Sequence, residues 1–237
     1  MNDITIAAVD WSGARGETKP HAGIWITARR GDDVLIDRGG WSRVDAVAFV
    51  ATLSPPVVAG FDFSFGLPEW FARELECKTI DDVWNRAGND GERWLAPAPP
   101  FWTARCPLPL DRRFRACEQR LRECGYAPKS VFQLVGNGQV GRGSVRGMPY
   151  LAQLRNDGFA IWPFDQPNQR VAIEMYPSLL RKRFPQYDEP TAPSTDARDA
   201  RASARAMQTR ADELLALAAT VDPTTRIEGD VWIPTCP

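Results

Sequence analysis

ITIAAVD, residues 4–10, runs through apolar and β-branched side chains and stops on an acid, and VVAGFD, residues 57–62, does the same. Short apolar runs of this kind read as strands covered on both faces, which is the pattern of an α/β sheet. Between them lie GIWITARR (23–30) and VLIDRGGW (34–41), joined by Gly31-Asp32-Asp33, a hairpin turn. Ser42, with Asp45 three residues on, is placed to cap a helix through VDAVAFVATL (44–53), which Pro55-Pro56 stops. The order is therefore three strands, a helix and a fourth strand.

Beyond residue 63 the pattern loosens. Pro68 opens a helix toward Glu76, Thr79 and Asp82 mark another start, and LAPAPPFW (95–102) is a proline-rich excursion. Residues 111–124 read as an arginine-rich helix that Gly125 can end. VGNGQVGRGSVRG (135–147) is so dense in glycine that it reads as a loop or a set of turns. It lacks GK[ST], so it is no P-loop, although glycine-rich backbone can cradle phosphate. AIWPF (160–164) and RVAIEMYP (170–177) read as two more strands, SLLRKRF (178–184) as a helix, and 185–194 as a polar linker. DARDARASARAMQTRADELLALAA (196–219) reads as one long helix, whose alanines suit close packing against a sheet. Residues 1–237 are read as a single α/β domain carrying an irregular, basic insertion over about 64–155.

Composition narrows the chemistry. The 237 residues are 43% hydrophobic and 25% charged, the profile of a globular protein with one sizeable core. No apolar run approaches the roughly 18 residues of a membrane span. The chain enters its first strand with no basic segment or cleavage site ahead of it, so the expected compartment is the cytoplasm. The five cysteines, at 77, 106, 117, 124 and 236, form no CxxC pair and read as reduced thiols. His21 is the single histidine, which argues against Ser–His–Asp or multi-histidine metal chemistry. Carboxylates, hydroxyls and arginines are left. Residues 100–155 carry 10 Lys/Arg against 3 Asp/Glu, whereas residues 1–99 carry 10 against 15. A basic middle beside acidic flanks suits a polyanion-binding lobe next to a carboxylate site, though a solvated basic helix gives the same count.

The acids fall at ends of elements. Asp10 and Asp62 each end an apolar strand, Glu174 lies in the last strand, and Asp196 and Asp199 share a face at the start of the last helix. Ligands of open α/β sheets bind beyond the carboxyl ends of strands, where such acids converge. Converging carboxylates raise one another's pKa unless a cation neutralises them. Oxygen ligands without histidine or cysteine suit Mg²⁺ or Mn²⁺. Two such ions can activate a water and stabilise a leaving oxygen in phosphodiester cleavage.

Taken in order, VDWSG, GFDFSFGLP, SVFQLVGNGQVGRGSVRG, AIEMYPSLL and DARDARASA resemble the bacterial and archaeal domain-of-unknown-function family of predicted nucleases with an RNase H-like fold. The likeness runs from about residue 4 to 207. It implies a mixed five-stranded sheet, the first three strands antiparallel, flanked by helices. It also implies catalytic, metal-holding acids on the first strand, the fourth strand and the final helix, here Asp10, Asp62 and Asp199. Asp196 and Glu174 are additional candidates, Glu174 either as a ligand or as the holder of an arginine. The expected function is nuclease action on DNA or RNA. Asp10 would bridge two Mg²⁺ or Mn²⁺ ions, with Asp62 and Asp199 each holding one. Arg112, Arg113, Arg115, Arg142 and Arg146 would contact phosphates, with Ser12, Gly13 and the glycines of 136–147 as further substrate contacts. The nine tryptophans offer candidate base platforms, though most suit a core.

Two other readings stay open. VDWSG loosely resembles the first phosphate loop of sugar-kinase and actin-like phosphotransferases, usually Asp-x-Gly-x-Thr. Here Trp11 and Ser12 depart from that pattern, and 237 residues leave no room for the second domain of those proteins. A non-catalytic nucleic-acid-binding protein retaining the sheet is the other. The C-terminal RIEGDVWIP (226–234) suits closing a sheet edge or meeting a partner.

Overall fold

The two apolar runs that end in acids lie side by side. A computed structural model describes residues 4–14, 23–96, 99–135 and 140–235. His21, Cys236 and the glycines at 136 and 138 lie outside the described residues. The strands are β1 (Thr5–Asp10), β2 (Trp25–Arg30), β3 (Asp33–Gly39), β4 (Val57–Phe61), β5 (Ala160–Ile161) and β6 (Arg170–Glu174). The helices are α1 (Arg43–Thr52), α2 (Glu69–Glu74), α3 (Ile80–Trp94), α4 (Ala116–Glu123), α5 (Val140–Asn156), α6 (Pro177–Arg183), α7 (Thr195–Thr209), α8 (Ala211–Leu215) and α9 (Thr225–Glu228).

The sheet is mixed and six-stranded, in the order β3-β2-β1-β4-β6-β5. The resemblance implies five strands; the sixth is the short edge strand β5, which falls within the 160–164 stretch read as a strand and pairs with β6 only at Ala160 and Ile161. β1, β2 and β3 are successively antiparallel, as expected, with Gly31 at φ 57° in their hairpin turn. β1, β4 and β6 run parallel, so their carboxyl ends share one edge.

Alternation along these strands divides the core. Ala7, Val9, Ala59, Phe61 and Ala172 face the larger layer, with α1, α3 and α5. Ile6, Ala8, Val58, Val171 and Ile173 face the layer that holds α7. Helix α7 presents Ala197, Ala200, Ala204 and Ser203, all buried, and lies against β1 and β2 as its small side chains allow. The long C-terminal helix is interrupted at Arg210, with no glycine or proline to signal the break.

Local signals fix several ends. Ser42 accepts from the Asp45 N–H, and Thr79 with Asp82 forms a capping box. Gly125, at φ 81°, follows α4. The glycine-rich segment departs from expectation, because α5 begins at Val140 and takes in Gly141, Gly143 and Gly147. Its glycines are contact points: a Cβ at Gly141 would stand 2.4 Å from the Val131 carbonyl oxygen, and one at Gly147 would stand 2.7 Å from the Phe63 ring. Losing about 1 kcal/mol of helix propensity per glycine is offset here by an approach no larger residue permits. Cys77, Cys106, Cys117 and Cys124 are free thiols. Among the described residues no helix is long and apolar enough to cross a membrane.

Candidate active site

Asp10 ends β1 on the same side of the sheet as Ile6 and Ala8, and Asp62 follows β4 on the side of Val58 and Gly60. The Asp62 N–H donates to the Val9 carbonyl at 3.1 Å, continuing the parallel ladder, so the two acids leave neighbouring strands together. Both project toward the layer of α7, whose first turns carry Asp196 and Asp199. The Asp10 residue is only 7% exposed. Burial pushes its carboxyl well above the usual range, and the charges of Asp62, Asp199 and Asp196 push it further, against the opposing field of Arg181. Asp62 is pushed up to about 7 by burial, then by Asp199 and Glu174. Burial likewise raises Asp199, opposed by Arg181 and Arg198, and raises Asp196.

The loop after β1 is pinned from below. Arg43, fully buried on α1, donates from Nη1 to the carbonyls of Ser12 (3.1 Å) and Ala14 (2.9 Å). Arg146 donates to the Gly13 carbonyl and grips Glu92 through two contacts of 2.7 and 2.9 Å. Gly13 lies so close to α5 that a Cβ would stand 2.4 Å from the Gly143 nitrogen. Ser12 Oγ and Asp196 Oδ2 both come within 4 Å of the Cβ position of Gly23, so the loop and the start of α7 meet there.

The turn after β4 is fixed as firmly. Ser64 N–H donates to Ser144 Oγ and Phe65 N–H to Glu174 Oε2, each at 2.9 Å. The Phe63 ring packs against Trp11, Phe61 and Phe65.

Glu174 stands apart from the Asp10–Asp62 pair by strand alternation, since its register partner is Phe61. It receives Arg115, whose Nη1 lies 2.8 Å from Oε2. Arg115 is 1% exposed and also binds Glu118 and the Glu228 carbonyl, while the Glu228 carboxylate accepts from Glu69 and Ala116 N–H groups. Of its two candidate roles, Glu174 takes that of holding an arginine. Arg115 is in turn no phosphate contact. Its charge is spent inside, joining α4, β6 and the C-terminal segment, where Trp232 N–H donates to the Glu174 carbonyl beyond the end of β6. The C-terminal stretch thus packs onto this edge, with Val231 in a parallel bridge to Glu174.

The remaining arginines are scattered. Arg146, expected as a phosphate contact, is instead 6% exposed and committed to Glu92 and Gly13. Arg142 donates to the Leu134 carbonyl at 3.0 Å. Arg112 lies 3.9 Å over Trp70 and pairs with Glu74, and Arg113 donates to Leu108. Four tryptophans, at 11, 41, 84 and 232, are buried in the core.

Arg181 escaped the sequence reading. It sits in the last turn of α6, and its Nε lies 2.6 Å from Asp199 Oδ1. A run of basic residues at a helix C-terminus reads as dipole compensation, and nothing in it signals a partner on α7.

The donor set fits a hard cation, being carboxylate oxygens that burial makes costly to ionise unneutralised. Among the described residues no three His, Cys, Asp or Glu side chains are gathered closely enough to hold an ion as they stand. A cavity of about 50 Å³ beside Asp62, Ser64, Glu174 and Tyr176 has room for little more than a water or an ion. A larger cavity of about 540 Å³, at Gly31, Arg210 and Thr235, lies toward the amino end of β1, away from these acids. No family model, curated protein or solved structure matches the chain.

Proposed function

We propose that this protein is a divalent-cation-dependent nuclease of RNase H-like fold, a member of the family that its motifs resemble, hydrolysing phosphodiester bonds in nucleic acid. The observation that carries the reading is Asp10, a buried carboxylate beside Asp62 on adjacent parallel strands, facing the acids of α7. The strand order β3-β2-β1-β4-β6, with acids at the ends of β1 and β4 and on a later helix, supports it.

Asp10 and Asp62 would hold Mg²⁺ or Mn²⁺, with Asp199 completing the set and Asp196 beside it. Bound there, such cations would supply an activated water and charge stabilisation of the leaving oxygen. The chain's own part is placement. Arg43 and Arg146 fix the backbone after Asp10, and the Ser144 and Glu174 contacts fix the turn after Asp62. Asp62, with its pKa near 7, must give up a proton before it can ligate, so cation uptake strengthens as pH rises. Arg142, Arg112 and Arg113, each partly exposed, retain donors for a polyanion.

The test is incubation of the protein with end-labelled single-stranded and duplex DNA and RNA in Mn²⁺. Cleavage that disappears in EDTA and in Asp10→Asn is expected. Cleavage by Asp10→Asn at the parental rate, or none of any substrate by the parent, would overturn the proposal.

A further inference from the structure

Among the described residues, Arg181 is the guanidinium in ion-pair contact with the acid cluster. On the α6–α7 side Arg198 is committed to Asp188 through contacts of 2.5 and 2.6 Å. Arg201 pairs with Asp37 and Glu189, and Arg205 with Glu189. Arg181 instead reaches across from α6 to Asp199, with Asp188 a distant second partner at 3.9 Å. Its charge is felt as far as Asp10. The Asp10 side chain, in a residue nine-tenths buried, has no hydrogen bond or ion pair among the described residues and faces the same cluster.

A guanidinium cannot shed its proton in a protein, so it neutralises at most one of these carboxylates. It also holds Asp199 against α6, and among the described residues no trio of ligands is preassembled. We propose that Arg181 is the built-in counter-ion of the site: it holds Asp199 while no divalent cation is bound, and a divalent cation must displace it to recruit that carboxylate. The proposal rests on the reading of these acids as a cation site. It gives Arg181 a positioning role, setting how much cation is needed to assemble the site.

The test is calorimetric titration of Mn²⁺ into the parent, Arg181→Gln and Arg181→Lys, with Asp10→Asn/R181Q as the control for location. Removing the competing charge should tighten Mn²⁺ binding roughly ten-fold or more in Arg181→Gln. Arg181→Lys, which keeps a cation without the planar fork, should fall between it and the parent. The control should lose the binding. Mn²⁺ binding by Arg181→Gln that is no tighter than the parent's would overturn the proposal. Circular dichroism and melting establish whether each variant folds; if the glutamine variant does not, unchanged or weaker binding by Arg181→Lys would overturn it equally. Tightened binding without any cleavage of nucleic acid would leave the counter-ion in place and remove the nuclease reading. Parental cleavage in Mn²⁺ with unchanged affinity in Arg181→Gln would do the reverse.

Discussion

Replacing Asp62 by asparagine should stabilise the protein when no divalent cation is present. In the unfolded chain this carboxyl ionises near 3.8, whereas in the folded protein it is pushed up to about 7 by burial and by Asp199 and Glu174. Between those values the folded state binds more protons than the unfolded one, so stability falls as pH rises through the window. A displacement of about three pH units corresponds to roughly 4 kcal/mol by pH 8, taken as an upper limit. Asparagine removes the charge at nearly constant shape, and its own amide desolvation takes back about 1 kcal/mol or more. The net expectation is about 1–3 kcal/mol of added stability near pH 8, or several degrees in Tm for a chain of this length. Urea denaturation in EDTA across pH 4 to 8 measures it. The gap between variant and parent should close toward pH 4, where both folded and unfolded carboxyls approach neutrality. A variant no more stable than the parent at pH 8, or a gap that persists at pH 4, would show that the folded protein does not disfavour an ionised Asp62. Excess Mn²⁺ should narrow the gap, because only the parent gains fully from a ligand bound by its native state.

Arg115→Ala should cost about 3–5 kcal/mol in urea denaturation, since it leaves the buried carboxylates of Glu118 and Glu174 without their cation; a loss below about 1 kcal/mol would show that they are neutral or solvated. Gly147→Ala should cost about 1–3 kcal/mol, because its Cβ would meet the Phe63 ring at 2.7 Å and that ring is backed by Trp11 and Phe65. A melting temperature equal to the parent's would mean that α5 can retreat freely from the sheet.

The site's frame was legible because it depends on local signals. Apolar runs closing on Asp10 and Asp62 mark buried strands ending at one edge, and Ser42 and the Thr79–Asp82 pair mark helix starts through contacts within three residues. What failed depends on distant contacts. Arg115 falls in a basic stretch, 111–124, that reads as a solvated helix but stands just ahead of α4, and its partners Glu174 and Glu228 lie 59 and 113 residues away. The run from Gly141 to Gly147 reads as turns by propensity, yet tertiary contact with Val131 and Phe63 makes small residues the requirement of a packed helix. Asp199 stands out in the sequence at the start of a long helical stretch, whereas Arg181, its partner on α6, has no such marker.

If the proposal holds, Asp10 belongs to a carboxylate site for divalent cations. Calorimetric titration of Mn²⁺ into the parent and Asp10→Asn, at a pH of about 8 where Asp62 is ionised, tests it most directly. Saturable binding by the parent that is lost in Asp10→Asn is the predicted result. Binding unchanged by the substitution, or none by either protein, would contradict it.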